Sequence, residues 1–189
     1  GSLVFTNYGA SAPVVTNVSG SVVTIANDLV LGADTTFRAD NSLRLTGAIS
    51  GPGGLIRSGA NTLTLTGSNT YQGLTVVSPA NTALALSNTT GGVAVPGDLQ
   101  IGTGSGNAYV RIEADEQIAD TSVLTFLSTG NEYGRLLLLG HTETIGGLDD
   151  AAGRGIVENT DNNDRFTAAD AASGPGTLII SNGTDYVFA

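Results

Sequence analysis

A five-residue strand pattern returns at nearly constant spacing through the first half of the chain. Its copies are Leu3-Val4-Phe5-Thr6-Asn7, Val23-Thr24-Ile25-Ala26-Asn27, Leu43-Arg44-Leu45-Thr46-Gly47, Leu63-Thr64-Leu65-Thr66-Gly67 and Leu84-Ala85-Leu86-Ser87-Asn88. Their starts lie 20, 20, 20 and 21 residues apart. A fixed period of that size marks a chain of stacked units, none of which can bury its apolar face alone.

In each copy the first and third residues are large and apolar while the second varies freely, the period-two signature of a strand with one buried face. The fifth residue is Asn or Gly, which suits a tight corner where positive φ is often needed. Stacked in register, Leu3, Val23, Leu43, Leu63 and Leu84 form one internal column, and Phe5, Ile25, Leu45, Leu65 and Leu86 form another. Arg44 and Thr64 then point outward. The expected fold is all-β: a single-stranded parallel β-helix (β-solenoid) of about 20 residues per coil and roughly nine coils, right-handed as most parallel β-helices are.

Leu55-Ile56-Arg57 and Leu74-Thr75-Val76-Val77 add further strands, giving two or three per coil. Gly1-Ser2 reads as a cloning remnant, and residues 3–189 as one continuous solenoid segment. An irregular coil is expected near 92–106, where Gly, Pro and Thr loosen the spacing, and a long acidic loop near 158–173. The chain opens inside a strand pattern at Leu3 and stops at Tyr186-Val187-Phe188-Ala189 without capping features, so a segment of a longer rod is expected.

Composition narrows the function classes. Cys, and with it any disulfide or thiolate metal site, is absent, so apolar burial and backbone pairing must supply the stability. Lys is also absent, which rules out Lys-Asn isopeptide crosslinks. The net charge of −10 opposes nucleic acid and anionic membranes as partners, and no apolar run approaches the length needed to insert into a bilayer.

The stretch from Gly51 to Val77 resembles the autotransporter-associated β-strand repeat, also called the passenger-associated transport repeat, of bacterial adhesin passenger domains. It carries that pattern at Gly51, Gly53, Gly54, Leu55, Gly59, Thr62, Leu63, Thr64, Leu65, Gly67, Asn69, Thr70, Tyr71, Gly73, Thr75 and Val77. Leu63, Leu65, Gly67, Asn69, Tyr71 and Gly73 are its structural repeat positions here. The departures, Arg57 for Lys, Asn61 for Gly, Gln72 for Thr and Ser78-Pro79-Ala80 for a common Gly, fall where corners or outward faces are expected.

The resemblance implies an extracellular passenger or stalk on a bacterial cell surface, anchored through other regions of a large protein. The repeat is associated with export and folding, and brings no catalytic residue and no cofactor. The expected role is a rigid, non-catalytic spacer whose partners are neighbouring repeats of the same polypeptide. The alternative is an adhesin module that binds a surface glycan or a host protein directly, and a polysaccharide-active enzyme ranks below both.

The residues that could support an enzyme are His141, Asp149-Asp150 and Asn159-Thr160-Asp161. Pectin-cleaving β-helix hydrolases use an Asn-Thr-Asp, an Asp-Asp and a Gly-His-Gly, in which paired carboxylates protonate the leaving oxygen and activate water. Here the motifs run in reverse order, sit less than one coil apart and lack neighbouring aromatics, so solvated loop carboxylates are the simpler expectation. Asp161, Asp164 and Asp170 are oxygen donors that Ca²⁺ would accept, but the Gly-Gly-x-Gly-x-Asp repeat of Ca²⁺ β-rolls is missing. Asp115-Glu116 and Asp120 make a weaker case, and the single His141 cannot build a His-based metal site. Asn7, Asn27 and Asn88 are expected at equivalent corners, laddered by hydrogen bonds, while Tyr71 and Tyr186 pack on coil faces or form an exposed row for glycan.

Overall fold

The computed structural model describes residues 1–79, 83–160 and 174–181. Asp161, Asp164, Asp170, Tyr186 and most of the 158–173 segment therefore lie outside the described residues. Every regular element among them is a strand, and the chain winds as a β-solenoid of about 7 turns with roughly 23 residues per turn. Each turn passes three faces.

The first face holds β1 (Leu3–Phe5), β4 (Leu29–Leu31) and β7 (Ile49–Ser50), and further along β16 (Thr142–Ile145) and β19 (Thr177–Ile180). The second is a seven-stranded sheet of β2 (Val14–Asn17), β5 (Thr35–Ala39), β8 (Leu55–Ser58), β10 (Thr75–Val77), β12 (Leu99–Ser105), β14 (Val123–Thr129) and β17 (Gly147–Asp149). The third is another seven-stranded sheet, of β3 (Val23–Ile25), β6 (Leu43–Leu45), β9 (Leu63–Leu65), β11 (Ala83–Leu86), β13 (Ala108–Ile112), β15 (Gly134–Leu137) and β18 (Gly155–Glu158). Each strand pairs in parallel with its counterpart one turn on.

On the third face the expected columns form. Val23, Leu43, Leu63, Leu84, Val110, Leu136 and Val157 lie one above another, as do Ile25, Leu45, Leu65, Leu86 and Ile112. Most of these side chains belong to one continuous apolar core, with Arg44 between Leu43 and Leu45 turned to solvent. Leu3 and Phe5 stand elsewhere: they pair with Leu29 and Leu31 on the first face, 26 residues on. The five-residue pattern is common to strands of different faces, and the longer corners of the first turn make the count of 20 land on the wrong one. Beyond Leu84 the spacing widens, with Leu84 opposite Val110 and Val110 opposite Leu136. Nine coils of 20 thus become about 7 of 23.

The 92–106 stretch combines a strand with an irregularity. It contains all of β12, which pairs with β10 on one side and β14 on the other, with a register shift between Ile101 and Gly104. In the Leu136-Leu137-Leu138-Leu139 run both sides of the sheet are buried. Leu136 and Leu138 enter the main core, while Leu137 and Leu139 join Ala83 and Tyr109 in a second cluster on the outer side. Beside it Arg135 and Glu158 form an ion pair at 2.7 Å.

Arg57 corrects the expectation that departures from the repeat face outward. It lies between Phe37 and Val77 in an inward column of the second face and is 0 % exposed. Its guanidinium donates to the carbonyls of Asn61 and Ser78, bracing the corners that follow the strands, and burial lowers its pKa to about 10. It stays charged at neutral pH, its charge spread onto carbonyl dipoles.

The corner glycines also act differently from the expectation. Gly67 has no left-handed φ; a Cβ there would meet the Gly47 carbonyl oxygen at 2.2 Å, and one on Gly47 would meet that of Asn27 at the same distance. The constraint is the close approach of successive turns. Gly67→Ala is expected to cost about 1–3 kcal/mol, the usual cost of forcing a carbon into a packed interior. Gly20→Ala, where an added carbon meets nothing within 4 Å, is expected to leave the denaturation midpoint unchanged. Equal midpoints for the two variants would refute the close-approach account.

Candidate functional site

Between β7 and β16 the first face has backbone contact but no strand among the described residues. Segments around Asn69, Val93–Val95 and Gln117–Ile118 cross it, linked by Thr70 N–H to the Ile49 carbonyl, Asn69 N–H to that of Val93, and Ala94 and Val95 N–H to that of Gln117. Corners here are too irregular for a full ladder, so side chains complete the pairing. Buried backbone groups require it.

Three inward polar residues do this in succession. Asn69 Oδ1 accepts from Ile49 N–H at 2.8 Å, and its Nδ2 donates to the Ala94 carbonyl at 2.7 Å. Gln117 Oε1 accepts from Asn88 N–H at 2.6 Å while Nε2 donates to the carbonyls of Asn88 and Asp115, both at 2.9 Å. Glu143 takes the N–H groups of Gln117 and Ile118, one on each carboxylate oxygen, at 2.9 Å. Amide and carboxylate groups thus run as a relay along the inside of the rod.

Glu143 is 0 % exposed, and burial pushes its carboxyl up to about 7. The two N–H donors pull in the opposite direction, and the nearby Glu116 and Asp120 carboxylates push further upward. Outside it, Glu116, at φ 52°, accepts from the Thr144 N–H and hydroxyl. Asp115 accepts from Thr142 N–H at 2.9 Å and contacts His141 Nδ1 at 3.1 Å, and the two together hold its carboxyl below the usual range.

The residues that could have suggested hydrolysis take separate structural tasks. His141 meets Asp115; Asp149 sits on β17 opposite Thr125; buried Asp150 accepts from the Arg154 and Gly155 N–H groups and closes the turn before β18. Asn159 accepts from Gly140 N–H and donates to the Gly174 carbonyl, and Thr160 follows it at the end of that turn. Asp161 lies outside the described residues, and His141, Asp149 and Asp150 each engage different partners. Among the described residues no group of three His, Cys, Asp or Glu side chains is placed to hold a metal ion.

The repeat positions named from the sequence are parts of the core and corners. Leu63 and Leu65 are fully buried, and Gly73 packs against the backbone of Gly53 and Gly54. Tyr71 is 1 % exposed and shares a 2.6 Å hydrogen bond with the Thr75 hydroxyl, so it faces the interior and cannot belong to an exposed row. Burial raises its phenol pKa, with the Thr75 bond opposing. Asn7, Asn27 and Asn88 do not ladder: Asn7 leaves a first-face strand, while Asn27 and Asn88 leave the third face. Gly47 and Gly67 occupy the intervening corners, so Asn27 donates to the Gly1 carbonyl and Asn88 to those of Gly91 and Gly92.

Gln117 and Glu143 escaped the sequence reading, although one signal was present. In Thr142-Glu143-Thr144-Ile145, alternation places Glu143 on the same side as the buried Ile145. No family model, no curated protein and no solved structure matches the chain.

The raised Glu143 pKa fixes a pH dependence. A carboxyl whose folded pKa exceeds its unfolded value gives its full stability below the unfolded pKa, and that contribution is lost as pH rises through the folded pKa. Here the window runs from about 4.5 to about 7. The thermal midpoint should fall across it, and Glu143→Gln should remove most of that slope. Below the window the carboxyl is protonated and, like the amide, presents one carbonyl acceptor and one donor to the two N–H groups, so Glu143→Gln should leave the midpoint there close to the wild-type value. An unchanged slope in the variant would assign the titration elsewhere.

Proposed function

We propose that this chain is a rigid, non-catalytic spacer of a bacterial surface protein of autotransporter type, folding outside the cell and holding other parts of the assembly at a distance. The observation that carries the reading is where the polar side chains go. Asn69, Gln117, Glu143, Asp115 and Asp150 all engage backbone N–H or carbonyl groups, most of them on another turn, so polar chemistry is committed to holding the stack. The resemblance of Gly51–Val77 to the autotransporter-associated repeat supports the surface location and a link between folding and export.

Turns that pair only with their neighbours fold progressively from one end, which suits a polypeptide emerging through a pore. Placed between a secretion signal and an outer-membrane barrel carrier, the chain should reach the cell exterior as a protease-resistant rod, with Gly67→Ala displayed in smaller amount. The purified chain should be silent on a glycan array and in polysaccharide-depolymerisation assays. Saturable glycan binding would transfer the reading to direct adhesion, depolymerisation would make it an enzyme, and failure to appear outside the cell would remove the export role.

A further inference from the structure

Where β16 meets the turn before it, carboxylates do most of the joining. Glu116 N–H donates to the Thr142 carbonyl at 3.0 Å, as in a sheet ladder. Four further N–H groups along this seam end on acidic side chains: Thr142 and Thr144 donate to Asp115 and Glu116, and Gln117 and Ile118 donate to Glu143. The same two turns are joined on the other faces by parallel ladders, β14 to β17 and β15 to β18. On its far side β16 has a ladder too, with β19. The seam between residues 115–118 and β16 is thus the one side of this turn closed chiefly by side chains.

Two further observations fall on the same place. Glu116 and Leu139, in the corner that leads into β16, are the non-glycine residues with left-handed φ among the described residues, each at 52°. Such backbone persists only where its surroundings hold it, and it concentrates in segments that change state. Charge around the buried Glu143 is also one-sided. Asp115, Glu116 and Asp120 lie on the facing segment, His141 at the entry to β16 is engaged by Asp115, and β19, Thr177-Leu178-Ile179-Ile180, has no titratable side chain. Both Glu143 oxygens take backbone N–H groups, and among the described residues no Arg or His bonds to them.

We propose that this seam is a proton-controlled joint: with Glu143 protonated the first face is closed from turn to turn, and on its ionisation residues 115–118 and β16 part locally while the two seven-stranded sheets stay paired. Parting lets the carboxylate reach water, separates it from Glu116 and Asp120, and frees Glu116 from its left-handed backbone. The ladders β14–β17 and β15–β18 hold the rod meanwhile. The direction follows from the carboxyl that burial pushes up to about 7: closure is fully favoured below about 4.5 and weakens as pH rises through about 7. Asp115, held below the usual carboxylate range, stays ionised and bonded to Thr142 through that span, so Glu143 alone sets the response.

Native-state hydrogen exchange, followed by NMR on the 189-residue chain, tests this. The Gln117 and Ile118 amides should exchange through an opening that low denaturant hardly affects, whereas amides in β14 and β15 wait for a larger unfolding. Corrected for intrinsic rate, the opening constant of the seam should rise roughly ten- to hundredfold between about pH 5 and about pH 8, the linkage expected of a carboxyl that moves from about 7 when closed to about 4.5 when open. Glu143→Gln, an uncharged mimic of the protonated side chain, should stay level across that range. If Glu143→Gln does not fold, the wild-type chain decides by itself, through the contrast between seam and sheets and the rise with pH. Exchange of Gln117 and Ile118 at the same free energy as the sheet strands would overturn the proposal, because the charge would then act on the whole rod. A level opening constant in the wild-type chain, or an undiminished rise in folded Glu143→Gln, would overturn it equally.

Discussion

Parallel pairing between each strand and its counterpart one turn later is the interaction on which the molecule depends. It fixes the vertical spacing, and at that spacing a Cβ on Gly67 would collide with the Gly47 carbonyl. It also sets Leu43, Leu63 and Leu84 in one column, so that no turn encloses its own core and each is sheltered by its neighbours. Phe37 and Arg57 share such a column, which shows how strictly register governs: the arginine is buried because its strand position faces inward. Backbone carbonyls at the corners make that burial tolerable.

The acidity has a related cause. Where a corner takes a backbone N–H out of the ladder, a short side-chain acceptor on an adjacent turn meets it. Asp28 accepts from Ala48, Asp34 from Gly54, Asp98 from Val123 and Asp115 from Thr142, each one turn ahead. Asn69, Glu143 and Asn159 reach back in the other direction. Carboxylates accept without bringing a donor that would need a partner of its own, which makes them suited to this task. Many of the charges that give the chain its low isoelectric point are fittings of the scaffold.

The repeating core was legible because alternation and a constant period are both local signals. From Val23 to Leu86 the inward residues follow the pattern residue by residue. Leu3 was misplaced because strands of all faces share one apolar signature, and only the lengths of the corners distinguish them. Arg57 was misread because charge suggested solvent, whereas its parity with Leu55 pointed inward. Glu143 carried the same conflict between charge and parity. Gln117 could not be read at all, since it lies outside any strand and its role comes from Asn88 approaching from the turn before.

The uneven length of the turns has a consequence for how such a rod changes over time. Between Leu63 and Leu84 the chain takes 21 residues, and between Leu84 and Val110 it takes 26, yet both steps add one rung to the same column. Insertions are absorbed where the path bends, and the stacked interior does not register them. A lineage can therefore lengthen or decorate the rims of this scaffold, adding loops that recognise new surroundings, while the axis that carries them keeps its pitch.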